Sequence, residues 1–152
     1  MGTHYAEATA HSAAEPAAIY ALLTTGASWP TWIFVDSAEL EQEGREGGES
    51  VGAIRVYRFR RAGVSGRSRE QILELVPDRK FAYSVLAGVP IRDHRADVDL
   101  TPAADGGTDI RWSATWQSKY PGTGPLMRLS IRMIYKSFSA GLARKAEETV
   151  PR

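Results

Sequence analysis

Apolar residues near the end of the chain recur at helical spacing. Met127, Ile131, Ile134, Phe138 and Leu142 fall on one stripe of residues 126–148, while Arg128, Arg132, Lys136, Arg144 and Lys145 are left for water. Ahead of this segment the period changes to two. In residues 92–101, His94, Ala96, Val98 and Leu100 share one face and Arg95, Asp97, Asp99 and Thr101 the other; in 108–118, Ile110, Trp112, Ala114 and Trp116 oppose Asp109, Arg111, Ser113, Thr115 and Gln117. Such alternation belongs to an antiparallel sheet with one solvated face. A helix with a single apolar stripe needs a sheet to lie on. A sheet that curls around one helix leaves a cavity wherever the helix does not fill the space.

The remaining elements follow from shorter signals. Residues 5–10 alternate weakly and predict a first strand. Ser12, Glu15 and Pro16 then predict the start of a short helix through Ile19, Tyr20, Leu22 and Leu23, closed by Gly26. Trp29, Pro30 and Trp32 crowd residues 27–32 into a turn or a second helical turn. Strands are expected over 35–43, 53–60, 67–76 and 81–87, separated by the Gly-rich 44–52, by Gly63 with Gly66, by Pro77-Asp78 and by Gly88 with Pro90. Asp105-Gly106-Gly107 precedes the last strand as a hairpin turn. The expected order is strand, two short helices, six strands and one long helix, in a single domain over residues 1–152.

Composition narrows the function classes. With 43% apolar and 24% charged residues the chain reads as a globular protein, and no apolar run reaches the ~20 residues of a membrane-spanning helix. Nineteen basic and 18 acidic residues nearly balance, which disfavours nucleic acid as a partner. The absence of cysteine excludes thiolate chemistry and disulfides. His4, His11 and His94 lack the paired spacing of metal ligands, so neither a metal nor a cofactor is expected. Glu43, Glu46 and Glu49 make the Gly-rich segment a turn and not a phosphate loop, and no nucleophile-elbow pattern surrounds the serines. No basic start followed by an apolar block opens residues 1–14, so the expected location is the cytoplasm.

The order of elements, with Trp29-Pro30-Thr31-Trp32, Gly48 to Gly52 leading into Ile54-Arg55, Ser68-Arg69-Glu70, Phe81-Ala82-Tyr83-Ser84-Val85 ending at Gly88, and Gly106-Gly107-Thr108 leading to Trp112, resembles the helix-grip superfamily. That superfamily includes the polyketide cyclase/dehydrase family, START lipid-transfer domains, the birch pollen allergen and the abscisic acid receptors. The resemblance implies an α+β fold: a seven-stranded curved antiparallel sheet wrapped around a long C-terminal helix, with two short helices after the first strand. It further implies an apolar cavity, and it turns Arg55, Glu70, Tyr83 and His94 inward. Loops 44–52 and 88–90 correspond to gates in the receptors, although Gly88-Val89-Pro90 departs from their gating sequence.

The expected ligand-binding set is Trp29, Trp32, Arg55, Tyr57, Phe59, Glu70, Ile72, Tyr83, Val85, His94, Trp112, Trp116, Met127, Ile131 and Ile134. A buried charge needs a partner, so Arg55 and Glu70 are expected to meet each other or a ligand. Arg55, Glu70 and His94 are the catalytic candidates. Three functions compete: binding of a hydrophobic small molecule such as a polyketide, lipid, isoprenoid or aromatic metabolite; aldol cyclisation and dehydration of a poly-ketone; and a protein-interaction module of the chaperone-activator type. In the cyclase, Arg55 would stabilise an enolate, His94 or Glu70 would move protons and Tyr83 would polarise a carbonyl. The protein is expected to be a monomer or homodimer.

Overall fold

The computed structural model describes residues 2–148, with Arg61 as backbone alone; the outermost parts of the expected domain, residue 1 and residues 149–152, lie outside the described residues. The chain runs through β1 (His4–Ser12), α1 (Pro16–Thr24), a 3-10 helix (Gly26–Thr31), β2 (Ser37–Gln42), β3 (Ile54–Arg61), β4 (Val64–Val76), β5 (Lys80–Ala87), β6 (Ile91–Pro102), β7 (Thr108–Ser118) and α2 (Gly124–Glu148). The seven strands form one sheet in the order β1-β7-β6-β5-β4-β3-β2. Every neighbouring pair is antiparallel. Strands β2 to β7 are therefore a meander, and β1 returns to the far edge beside β7.

The period-two segments behave as their pattern requires. His94, Ala96, Val98 and Leu100 are buried in β6, as are Ile110, Trp112, Ala114 and Trp116 in β7. In α2 the buried side chains Ile131, Tyr135, Ser139, Leu142 and Ala146 lie toward β1 and β7. Burying an aliphatic side chain of this size contributes roughly 1.5–3 kcal/mol, and this contribution, more than intrinsic propensity, anchors the helix. Leu126, Leu129 and Met133 remain exposed on its outer side.

Local chemistry corrects several boundaries. Ser12 does not open α1; it ends β1, donating through Oγ to the Ala143 carbonyl at 2.8 Å and so tying β1 to α2. The β3–β4 turn is at Ala62 and Gly63, both with positive φ (50° and 79°), as a tight hairpin requires. Gly66 is consequently a strand residue in β4, where the Phe59 ring occupies the space that a Cβ would take.

Irregular register bends the sheet. In β6, Arg92 and Arg95 pair with Gln117 and Thr115, so Asp93 and His94 together face one residue of β7. Asp93 takes a φ of 51° at this bulge, which sets the direction of the following His94. Between β4 and β5 the register shifts at Arg69/Glu70 and again at Ile72/Glu74. The core beneath is strongly aromatic, with Trp29 at its centre. Its ring lies 4.6 Å from Trp32, 5.3 Å from Tyr57 and 5.9 Å from both Phe81 and Trp112, between centroids. A curved antiparallel sheet gripping a long terminal helix is the helix-grip arrangement.

Candidate functional site

Between the sheet and α2 lies a pocket of about 230 Å³. Its walls come from the 3-10 helix and the segment after it (Trp29, Ile33, Phe34, Val35), from β3 and β4 (Tyr57, Phe59, Ser68, Glu70), from β5 to the start of β6 (Tyr83, Val85, Gly88, Val89, Ile91, His94), and from α2 (Ile131, Ile134, Tyr135, Phe138). The groove of about 510 Å³ along β1 and α2 is larger, but it is an open surface depression flanked by Glu7, Arg128, Arg132 and Lys136. The pocket between sheet and helix is the more sheltered of the two, and a mainly apolar wall with a few polar groups is the better setting for a small molecule.

Of the expected residues, Trp29, Tyr57, Phe59, Glu70, Tyr83, Val85, His94, Ile131 and Ile134 border this pocket. Trp32, Arg55, Ile72, Trp112, Trp116 and Met127 do not. Trp112 is buried behind the wall, where Nε1–H donates to the Tyr83 hydroxyl at 3.1 Å. Trp116 stacks on His4 at a centroid distance of 5.8 Å, and Trp32 packs beside Trp29 and Trp112. Ile72 is buried where its amide bonds to Ala53, and Met127 is half-buried against the core in the first turn of α2. Ile33, Phe34, Val35, Ser68, Gly88, Val89, Ile91, Tyr135 and Phe138 were missed from the expected set. Tyr135 and Phe138 were legible in principle, because they continue the spacing of Ile131.

Arg55 does not meet Glu70. The two are Cα partners in the β3–β4 register, yet the guanidinium bonds to other groups. Its Nε donates to Glu49 at 2.8 Å, and Nη1 donates to the Leu23 carbonyl at 3.1 Å and the Tyr57 hydroxyl at 3.3 Å. The cation rests 5.6 Å from the Trp29 centroid and 5.2 Å from that of Phe81. Glu49 also accepts from the Gly26 amide at 3.0 Å, and a Cβ at Gly26 would collide with that carboxylate. The Gly-rich 44–52 segment is thereby fastened to the α1 corner. It does not border the pocket, whereas Gly88 and Val89 do.

His94 belongs to a defined chain of hydrogen bonds. The Val85 amide donates to Nδ1 at 3.0 Å, so the ring proton sits on Nε2, which donates to the Tyr135 hydroxyl at 2.9 Å. Burial pushes the His94 pKa down to about 4, so the ring is neutral at pH 7. Burial also raises the phenols of Tyr83 and Tyr135, and the Glu70 charge adds to both shifts.

Glu70 is the one carboxyl among the described residues that borders the pocket. Its side chain is half-buried; burial raises its pKa to about 7, against smaller opposing effects from the Ser68 hydroxyl and Arg55. A carboxyl in that range can exchange a proton near neutral pH, whereas the His94 ring, with its pKa pushed down to about 4, stays neutral there.

Residues 3–147 match the family described as polyketide cyclase/dehydrase and lipid transport, and the chain belongs to it. No curated protein matches the sequence. Among solved structures, a START superfamily protein from Mycobacterium smegmatis superposes with a TM-score of 0.81 at 14% identity, covering 97% of this chain and 99% of that one. The structure of Ara h 8.0201 gives a TM-score of 0.75 at 18% identity, covering 97% and 100% of the two chains. The major latex-like protein 151 from Panax ginseng gives 0.71 at 12% identity, with 95% and 97% covered. At these identities the likeness concerns the fold. No helix among the described residues is long and apolar enough to cross a membrane.

Proposed function

We infer that this protein binds an apolar small molecule in the pocket between the sheet and α2. The observation that carries the reading is the composition of the wall: aliphatic and aromatic side chains from every layer of the fold, interrupted by a small polar group around Glu70 and His94. The family's description, which joins cyclases with lipid transport, supports the same class of ligand. A module acting purely through its outer surface has no use for this space. The test is titration of a neutral two-ring probe, naphthylethanol, followed by tryptophan emission. Ile134→Trp, which fills the pocket from α2, should weaken binding at least about tenfold while leaving the far-ultraviolet circular dichroism unchanged, since a ligand cannot share occupied volume.

A second reading, cyclisation of a poly-ketone, is favoured by one observation, the Glu70 pKa of about 7 inside the pocket. Arg55 drops out of that mechanism because it does not border the pocket, and both His94 nitrogens are already committed. Glu70 would then act as the proton carrier. Equal turnover of a poly-β-ketone analogue by wild type and Glu70→Gln would reject it.

A further inference from the structure

Glu70 differs from the other polar groups around the pocket in how much of its hydrogen-bonding capacity is left over among the described residues, because a carboxylate has two acceptor oxygens. His94 uses both ring nitrogens, Tyr83 accepts from Trp112, and Tyr57 accepts from Arg55. The Glu70 carboxyl receives one hydrogen bond among the described residues, from Ser68 Oγ at 3.3 Å, and takes part in no ion pair there. Its register partner Arg55 neutralises Glu49 instead. The half-buried carboxyl thus borders a mainly apolar chamber with acceptor capacity that a ligand's donor can use.

The surroundings decide which donor fits. Among the described residues no lysine or arginine borders the pocket, so an anionic head group would meet Glu70 with no cation there to receive it. A cation finds the opposite conditions. Glu70 supplies the countercharge, and the aromatic lining of Phe59, Tyr83, Tyr135 and Phe138 is of the residue type that attracts positive charge. The pocket volume of about 230 Å³ equals that of about eight liquid waters, which suits a body of one or two rings better than a long acyl chain.

We propose that the pocket selects a protonated amine on a compact apolar skeleton, its ammonium donating to Glu70, and discriminates against the matching carboxylate. This rests on the reading that the pocket binds apolar small molecules, and deepens it by assigning the head group. Tyr57 and Tyr135 flank the carboxyl closely enough for its charge to act on both hydroxyls.

The experiment is calorimetric titration of naphthylethylamine, naphthylethanol and naphthylacetate into wild type and Glu70→Gln at pH 8, where a carboxyl of pKa about 7 is mainly ionised. Wild type should bind the amine at least about tenfold more tightly than the alcohol, the order expected of one charge-assisted hydrogen bond, and the carboxylate most weakly. In Glu70→Gln the ratio of amine to alcohol affinity should fall to near one. Equal or tighter binding of the carboxylate by wild type, or an amine preference that survives Glu70→Gln, overturns the proposal. If the alcohol binds without an amine preference, charge selection alone is lost. If none of the three binds wild type, the pocket reading falls with it.

Discussion

Arg55 and Glu70 stand opposite each other in the register of β3 and β4, and Arg55 nevertheless gives its Nε–H to Glu49 at 2.8 Å. The fold separates two charges that neighbouring backbone positions would have paired. One becomes a fastening between the Gly-rich segment and the α1 corner. The other remains in the pocket as an acid with a raised pKa.

Substitution at the two carboxylates should therefore act in opposite directions. Glu49→Ala strands the buried Arg55 guanidinium and should cost about 3 kcal/mol. Glu70→Gln removes a carboxyl that burial disfavours when ionised, and should raise stability at pH 7 by about 1–3 kcal/mol. Urea unfolding with an unchanged slope would measure both. Equal destabilisation by the two would mean that Arg55 draws on both carboxylates.

The pH dependence of stability should expose Glu70 and His94 as a compensating pair. Glu70 rises from 4.5 to about 7 on folding, so its favourable contribution is complete below 4.5 and is lost as pH climbs toward 7. His94 falls from 6.5 to about 4, so its contribution is complete above 6.5 and is lost as pH drops toward 4. Between pH 4.5 and 6.5 the two slopes oppose each other. Relative to wild type, Glu70→Gln should gain stability with rising pH and His94→Gln should lose it, as read from thermal melts across that window. Slopes of the same sign would refute the assignment.

The hydrogen-bond chain fixes the His94 tautomer. Nitrogen chemical shifts should show a protonated Nε2 and a bare Nδ1 from pH 8 down to about pH 5, because Val85 donates to Nδ1 and the pKa is about 4. Tyr135→Phe leaves the Nε2 proton without its acceptor and should cost about 1–3 kcal/mol. A proton on Nδ1 would contradict the Val85 contact.

The parts of the fold legible in the sequence were those built on a repeating period. Alternation in β6 and β7 separated dry from wet faces at every position but Ser113, which is buried on the outer face, because each strand packs one face on a shared core. Glu49 could not be found this way, since it lies in a loop without period and reaches Arg55 through its side chain. Glu70 was suggested as Arg55's partner because the helix-grip resemblance turned both inward, and a buried charge needs a partner. Alternation likewise places Trp112 and Trp116 on the inner face, but it cannot say which inner residues border free volume and which lie beneath other rings. The hairpin at Ala62 and Gly63 was obscured by Gly66, whose glycine serves the approach of Phe59 and not the turn.

The central claim, a ligand held between sheet and α2, is tested most directly by following backbone amide resonances while naphthylethanol is added. The account predicts saturable shifts concentrated at Phe34, Phe59, Val85, Gly88, Ile134 and Phe138, which line the pocket from every side, and their disappearance in Ile134→Trp. Shifts centred on Glu7, Arg128 and Arg132 of the outer groove, or identical shifts in wild type and Ile134→Trp, would contradict it.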